Sequence, residues 1–246
     1  MGALFTALLL RRAGWHVSVY ERYGAELGGR GAGIVTHAEL FDVLERTGIE
    51  VDDTIGVRVP GRRVLNRAGH IVGELALEQV LTSWGRLYSL LRAALPAQDY
   101  HYGKNLVRVE ETADAVDAFF DDGTQASGDL LIGADGLFSA VRAQFSPQAQ
   151  PTYVGYIAWR GLVEEADLSP GTRAAICDHF AFCLPPGEQM LGYPVAGANE
   201  SLEPGRRRFN AARGECLGPS RLLTLGRRDQ RARAAGSWLS VSSASG

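Results

Sequence analysis

One short stretch constrains the fold of this chain more than any other. The apolar run Leu130–Ile132 stops at a glycine-rich turn, Gly133–Gly136, and a helix-forming segment follows from Ser139. The run is typical of a buried strand, and the glycines let backbone approach a ligand closely. Open α/β sheets bind ligands at the carboxyl ends of their strands, where an Asp accepts hydrogen bonds from a ribose hydroxyl. Asp135 is therefore a candidate ligand contact; the alternative is that Asp135 or Ser139 caps the helix.

A helix and a strand are predicted at the start of the chain. Residues 3–13 are rich in Ala, Leu and Arg, which favour a helix, and Gly14 is suited to end it. Val17, Val19 and Glu21 then alternate along a predicted strand. A carboxylate at the end of such a strand is where dinucleotide-binding folds hold the adenosine ribose.

The glycine-rich fingerprint that should precede this helix is mostly absent. Gly2 and Ala3 fit its last positions, whereas its first strand and leading glycines would lie before Met1. We therefore expect a dinucleotide-binding domain that lacks its first strand, with exposed strand edges that favour aggregation.

Other elements follow from hydrophobic spacing and turn residues. A helix is predicted where apolar residues recur at core spacing before Gly48, and a hairpin where two apolar runs flank a Gly-containing turn. The predicted helices are 38–47 and 86–95, the hairpin is 63–73, and the strands are 106–110, 115–120, 130–132, 153–163, 181–184 and 190–195.

Three ordered motifs resemble the FAD-binding domain of the flavoprotein aromatic hydroxylases, the family typified by para-hydroxybenzoate hydroxylase. They are the glycine-rich loop Glu26–Ile34, the segment Ser83–Leu91 and the Gly133–Gly136 turn. Together with Tyr156–Val163, the sequences of these motifs are most similar to the 2,6-dihydroxypyridine hydroxylase branch of the family. The resemblance covers about residues 2–205 and is far more specific than any single motif.

The resemblance implies an α/β (α+β) fold in which an incomplete Rossmann-like FAD-binding domain is joined to a β-sheet substrate domain. We assign residues 1–150 to the FAD-binding domain and 151–205 to part of the substrate domain. The hairpin at 57–80 fits either layer. From 206 to 246 the chain becomes atypical and rich in Arg, Ala, Gly and Ser; it is either a disordered basic tail or non-native sequence, and the second is favoured.

Ten residues are expected to contact FAD, most of them because the resemblance implies it. They are Gly2, Ala3, Glu21, Arg22, Arg30, Gly31, Arg86, Val107, Asp135 and Gly136. Arg30 and Arg86 carry planar donors that suit phosphate or flavin oxygens, and Gly31 permits close backbone approach. The alternatives are a solvated loop arginine for Arg30 and a surface helix charge for Arg86. We expect Glu21 and Asp135 to converge on a single flavin nucleotide.

The activity that the resemblance implies is hydroxylation of a hydroxylated aromatic or pyridine ring, with FAD, NAD(P)H and dioxygen. NAD(P)H reduces FAD, dioxygen adds to the flavin as a C4a-hydroperoxide, and the electron-rich ring attacks the outer oxygen. No side-chain nucleophile is needed, so no catalytic residue is nominated. Trp159, Arg160, Phe182 and Tyr193 are candidates for the substrate pocket; core packing, or an outward salt bridge for Arg160, is the alternative.

Two other functions stay open. One is a truncated, inactive member of the family that binds an adenine nucleotide at most. The other is a nicotinamide-only dehydrogenase, which fits Glu21 but leaves the Gly133–Gly136 turn and the Arg86 helix unexplained.

Composition argues against several other classes of protein. A chain of 246 residues, 46% of them hydrophobic, builds a sizeable core in one or two domains. The net charge of −3 argues against nucleic acid as a partner. The three cysteines lack metal-ligand spacing, so we expect reduced thiols, no metal and a cytoplasmic protein. Leu4–Leu10 is too short to span a membrane, and a homodimer is compatible with the sequence.

Overall fold

The computed structural model describes residues 1–27 and 33–216 and divides them into two units. The first unit contains residues 1–27, 38–51 and 87–151, and the second contains 33–37, 52–86 and 152–216. Five helices and twelve strands account for most of these residues. The helices are α1 (Gly2–Arg12), α2 (Ala38–Thr47), α3 (Trp84–Ala94), α4 (Ala140–Phe145) and α5 (Pro170–Ile176). The strands are β1 (Val19–Glu21), β2 (Gly33–Val35), β3 (Val57–Leu65), β4 (Ile71–Ser83), β5 (Tyr100–Tyr102), β6 (Leu106–Glu111), β7 (Val116–Phe120), β8 (Gln125–Gly128), β9 (Tyr156–Glu164), β10 (Phe180–Cys183), β11 (Glu188–Val195) and β12 (Arg208–Cys216).

The first unit combines short parallel pairing with a separate antiparallel layer. Strand β1 pairs in parallel with β5, which sets Glu21 opposite Tyr102, and β6, β7 and β8 form an antiparallel sheet. Helix α1 buries the face that carries Leu4, Ala7 and Leu8. The left-handed conformation of Gly14 (φ +90°) follows α1, as the sequence predicted for its end.

The second unit is built on a seven-stranded sheet with the order β2-β4-β3-β10-β11-β12-β9. Its neighbours are antiparallel except β3 and β10, which run in parallel. The buried core of this unit contains Val57, Val59, Leu81, Phe180, Tyr193 and Val195. The 57–80 hairpin thus contributes its strands to the same sheet as the later part of the chain.

A buried ion pair joins the ends of β9 and β12. The guanidinium of Arg207 donates from Nε to Glu165 Oε2 at 2.7 Å and from Nη2 to Glu165 Oε1 at 2.9 Å. Its Nη2 also donates to Asp178 Oδ1 at 2.9 Å. Burial acts to raise the pKa of Glu165, but the hydrogen bonds and charge of Arg207 outweigh burial and hold that pKa below its ordinary value.

Several predicted elements are confirmed. Helix α2 has the predicted bounds, with Leu40 and Leu44 buried, and Gly48 follows it at φ +83°. The predicted hairpin is present, and its turn contains Gly69 at φ +82°. Glycines, which favour left-handed backbone, therefore correctly predicted the end of α2 and the turn of the hairpin.

The strand predicted at 130–132 is wrong. These residues belong to none of the described sheets, and the side chains of Leu130 and Ile132 are 56% and 47% exposed. A strand needs a partner for its backbone groups, and none of the described strands pairs with this segment after β8 ends at Gly128. Its apolar composition alone did not supply that partner.

The atypical tail was predicted to begin too early. Residues 208–216 form β12, which pairs with β11 on one side and β9 on the other. As an interior strand it has all its backbone groups within reach of partners, and this compensates for a composition that contains Arg208 and Arg213. The rest of the predicted tail, 217–246, lies outside the described residues.

Among the described residues, helices are too short or too polar to cross a lipid bilayer.

The buried ion pair predicts a large stability difference between adjacent arginines. The Arg207→Met variant should lose about 3–5 kcal/mol of unfolding free energy, because Glu165 keeps a buried charge without its cation. Arg206→Met is the matched control: the exposed pair between Arg206 and Glu203 should contribute about 0–1 kcal/mol. Urea unfolding followed by circular dichroism measures both. Equal losses would contradict the role given to the buried pair.

The same pair predicts a pH dependence. The pKa of Glu165 is lower in the folded chain than its unfolded value of 4.5, so the pair stabilises fully above pH 4.5. This contribution is lost as the pH falls through the folded pKa. The difference in unfolding free energy between the wild type and Glu165→Gln should therefore shrink at acid pH. A difference that stays constant from pH 7 to pH 3 would exclude this contribution of the Glu165 carboxylate to stability.

Candidate functional site

The Gly133–Gly136 turn leads directly into helix α4. Asp135 Oδ2 accepts hydrogen bonds from the amides of Ala140 at 2.7 Å and Val141 at 3.3 Å. Ser139 Oγ accepts from the amide of Arg142 at 2.9 Å. Both residues therefore cap α4, as the alternative reading of this turn proposed.

Capping uses only one oxygen of Asp135. Its Oδ1 is buried and has no hydrogen-bond partner among the described residues. Burial acts to raise the pKa of Asp135. Hydrogen bonds from Ser139 and from backbone amides lower the pKa by more than burial raises it, so it lies below its ordinary value. The carboxylate is thus ionised at neutral pH, and its Oδ1 is able to accept a further hydrogen bond.

Glu21 ends strand β1 and lies near the amino end of α1. The amide of Tyr23 donates to Glu21 Oε1 at 3.1 Å. Burial lowers the pKa of the Met1 amine, while the negative charge of Glu21 raises it, which places the carboxylate within electrostatic reach of the first turn of α1. That turn contains the predicted contacts Gly2 and Ala3. The structure thus brings three predicted residues to one place; the convergence of Glu21 with Asp135 stays a prediction.

The other candidates of the first unit have varied surroundings. Arg22 is exposed, and its guanidinium carbon lies 5.3 Å from the centre of the Tyr23 ring. Gly136 adopts φ +80°, a conformation that favours glycine. Val107 lies on β6 with 53% of its side chain exposed. The predicted contacts Arg30 and Gly31 lie outside the described residues.

Arg86 belongs to the second unit and is held in place from two sides. Its Nη2 donates to Thr54 Oγ1 at 2.9 Å, and its backbone amide donates to Ser83 Oγ at 3.1 Å. Its Nε lies 3.8 Å from Glu200 Oε2, and this buried nitrogen makes no hydrogen bond with the described residues. Arg86 is therefore not a solvated surface charge.

The four predicted substrate residues do not share one face of the sheet. The register of β9, β12, β11 and β10 sets Arg160, Phe182 and Tyr193 on the same face. Trp159 lies on the opposite face, where its Nε1 donates to Glu215 Oε1 at 3.3 Å. The prediction that Trp159 and Arg160 line one pocket is therefore wrong, because adjacent strand residues point to opposite sides.

Sequence reasoning missed one residue that supports this face, Asn210. The amide of Gly33 donates to Asn210 Oδ1 at 3.2 Å, and the Tyr193 ring packs so closely that a Cβ on Gly33 would lie 2.3 Å from it. Burial raises the pKa of Tyr193 to about 12, so its phenol stays protonated at neutral pH. Asn210 lies in the segment 206–246, which its composition led us to assign to an atypical tail, so the sequence carried no signal for this residue.

His179, next to Asp178 in the chain, is half-buried. Its Nε2 lies 3.4 Å from Arg63 Nη2. Burial and the charge of Arg63 lower the pKa of His179, so it is mostly neutral at pH 7. Within the described ranges, no group of three or more His, Cys, Asp or Glu side chains is arranged to hold a metal.

Comparison with known proteins points to a single family. A family model described as FAD binding domain-like matches residues 153–213. The 2,6-dihydroxypyridine 3-monooxygenase of Paenarthrobacter nicotinovorans is 33% identical over 205 residues, 83% of this chain and 51% of that protein. The FAD-dependent urate hydroxylase of Klebsiella pneumoniae is 35% identical over 190 residues, 70% of this chain and 48% of that protein.

Solved structures agree with these matches. The structure of 2,6-dihydroxypyridine-3-hydroxylase from Arthrobacter nicotinovorans superposes with a TM-score of 0.79 at 31% identity and covers 88% of this chain and 54% of that one. The mixed α/β class and the predicted resemblance are confirmed. The chain spans about half the length of the relatives it matches.

The contact between Gly33 and Tyr193 predicts a site-specific response to an added methyl group. Gly33→Ala should cost about 1–3 kcal/mol, because its Cβ would overlap the Tyr193 ring. Gly73→Ala, also in a strand of this sheet, is the control because its Cβ would meet only Val64 at 3.9 Å. Denaturant unfolding compares the two variants, and an equal cost would show that the Tyr193 ring yields without strain.

Proposed function

Because the chain belongs to the family of FAD-dependent aromatic hydroxylases, we propose that it binds FAD and hydroxylates a small, hydroxylated aromatic or N-heteroaromatic ring. NAD(P)H and dioxygen are the proposed co-substrates. The relatives act on a dihydroxypyridine and on urate by their names, which supports a ring of this size and chemistry. The residue assignments of the first unit, including its role as the FAD-binding domain, are part of this proposal.

The observation that carries the proposal is the unpaired oxygen of Asp135. A buried, ionised carboxylate oxygen without a partner is costly unless water or a ligand supplies a donor. FAD has ribose and ribityl hydroxyls, so its donors fit this oxygen. The cost of leaving Oδ1 unpaired thus favours FAD binding over an empty turn.

The remaining residues of the first unit complete the nucleotide contacts. Glu21 accepts hydrogen bonds from the adenosine ribose, as carboxylates at this place do in dinucleotide-binding folds. The amino end of α1, with Gly2 and Ala3, offers unpaired amides and partial positive charge to phosphate oxygens. Arg86 of the second unit, whose side chain is half-buried, is proposed as a further donor to FAD.

Bound FAD supplies the redox chemistry that activates dioxygen. The part of the protein is to hold the ring. The sheet face offers the half-buried ring of Phe182 as aromatic surface, and the buried, protonated Tyr193 supports this face from the core. Fixing the ring on a rigid sheet lowers the entropic cost of the reaction.

The proposal predicts that Asp135→Asn weakens FAD binding without loss of the helix cap, because Asn caps a helix as well as Asp. Losing a charge-assisted hydrogen bond should raise the Kd by about 10- to 100-fold. The matched control is Ser169→Ala, which removes the cap of α5 at a cost of about 1 kcal/mol and should leave the Kd within about twofold. Quenching of flavin fluorescence measures the Kd. An unchanged Kd in Asp135→Asn would exclude the assigned contact.

Activity is tested separately with the FAD-loaded chain, NAD(P)H and 2,6-dihydroxypyridine. The proposal predicts a hydroxylated ring in amounts that match the NAD(P)H consumed. Yellow protein that releases only hydrogen peroxide would show FAD binding without coupled hydroxylation. Colourless protein that does not bind added FAD would overturn the whole proposal.

A further inference from the structure

The histidine that precedes strand β10 accepts a hydrogen bond from an arginine. Nε2 of His179 lies 3.4 Å from Nη2 of Arg63. A guanidinium only donates hydrogen bonds, so Nε2 must accept this one, and the proton of the neutral imidazole must reside on Nδ1. That Nδ1 is buried and makes no hydrogen bond with the part of the chain that the structure describes. The contact with Arg63 therefore exists only while the imidazole is neutral.

Arg63 links strand β3 to the carboxyl end of helix α5. Its Nη1 donates to the carbonyl oxygens of Ala175 at 2.7 Å and of Ala174 at 3.3 Å. Its Nε donates to Oε1 of Glu74, on β4, at 2.9 Å. The last carbonyls of a helix have no partner inside the helix, and a cation at that end also interacts favourably with the helix dipole. The position of Arg63 thus decides whether the end of α5 is held on the sheet.

The charges around His179 oppose its protonation. The charged side chains of the elements around the imidazole are Arg63 on β3, Glu74 on β4, Arg173 on α5, and Asp178 next to it in the chain. The two carboxylates attract an imidazolium, but Glu74 is already paired with Arg63, and Asp178 with Arg207. Nη2 of Arg173 donates to carbonyl oxygens that precede α5. Burial and the charge of Arg63 outweigh the carboxylates, so the pKa of His179 lies below its ordinary value of 6.5.

We propose that His179 and Arg63 form an acid-sensitive latch that holds the carboxyl end of helix α5 on the sheet. While the imidazole is neutral, its Nε2 accepts from Arg63 and keeps the guanidinium beside the carbonyls of Ala174 and Ala175. When Nε2 takes up a proton, two cations lie 3.4 Å apart in a half-buried place and repel each other. The guanidinium then moves away and its hydrogen bonds to α5 break. The latch belongs to the second unit and does not depend on FAD.

The direction of the pKa shift sets the sign of the pH dependence. The pKa of His179 is lower in the closed latch than in an opened or unfolded chain, where it is 6.5, so the open state binds the proton more tightly. The latch therefore stabilises fully above pH 6.5, and its contribution is lost as the pH falls from 6.5 through the lower pKa of the closed state. The pair of Glu165 with Arg207 stays intact above pH 4.5, so the two effects occur at different pH.

Hydrogen–deuterium exchange of the full chain tests the latch. The rates of the amides in residues 173–179 are divided by the intrinsic rate at each pH, so that only opening of the segment is compared. Between about pH 7.5 and about pH 5.5 the corrected rate of the wild type should rise about three- to tenfold, since uptake of one proton gives at most about tenfold per pH unit. In His179→Gln, whose amide oxygen accepts from Arg63 but takes up no proton, the corrected rate should change by less than about 1.5-fold.

His70→Gln is the matched control. His70 belongs to the same unit but lies exposed in the turn between β3 and β4, so its loss should leave the rise in exchange intact. His179→Phe removes the acceptor without adding a charge. Its α5 should exchange faster than that of the wild type at about pH 7.5, with no further rise in acid.

A measurement on the wild type alone decides the matter if the variants do not fold. An NMR titration of the imidazole should give a pKa for His179 below 6.5, and the loss of protection in α5 should begin near pH 6.5 and level off below that measured pKa. Protection that stays constant over this range, or that is lost equally in His179→Gln, overturns the latch. A pKa of His179 at or above 6.5 also overturns it, and His179 then only packs against Arg63.

Discussion

The proposed site of the first unit depends on the Asp135 carboxylate, of which only one oxygen has a hydrogen-bond donor among the described residues. Asp135 uses one oxygen to cap helix α4, and its other oxygen is buried without a donor from the part of the chain that the structure describes. The cap fixes the side chain, so the free oxygen is held in a defined position before any ligand arrives. Hydrogen bonds keep the pKa of the carboxyl low, which rules out relief by protonation at neutral pH. Capping and ligand binding are therefore two uses of one residue.

The arginine side chains of the second unit are held in place by different kinds of partner. Arg207 is matched by Glu165 inside the protein, and Arg86 lies between Thr54 and Glu200, so both positions are fixed by partners within the unit. Arg62 is fixed instead by aromatic rings, which orient a guanidinium without neutralising it. The guanidinium groups of this unit are thus held by a carboxylate, by a hydroxyl or by aromatic rings.

Local signals predicted elements that depend on local contacts, and they failed where a distant partner decides. Helix α2 was predicted to its last residue because its apolar spacing and Gly48 are sufficient to define it. The apolar run 130–132 was predicted wrongly because a strand needs a neighbouring strand, and none of the described strands pairs with it. Strand β12 shows the reverse: its neighbours make it a strand despite its composition. The FAD contacts that the motifs assign to Asp135 and Arg86 stay predictions. The hydrogen bond between Gly33 and Asn210 joins residues 177 positions apart, so no local signal could predict it.

The central claim is that a single flavin nucleotide satisfies both Glu21 and Asp135. A crystal structure of the chain with FAD tests it most directly. The account predicts a hydroxyl of FAD about 2.7 Å from Asp135 Oδ1, and the adenosine ribose within hydrogen-bond distance of Glu21. FAD bound elsewhere, with Oδ1 still unpaired, or bound to only one of the two carboxylates, would contradict it.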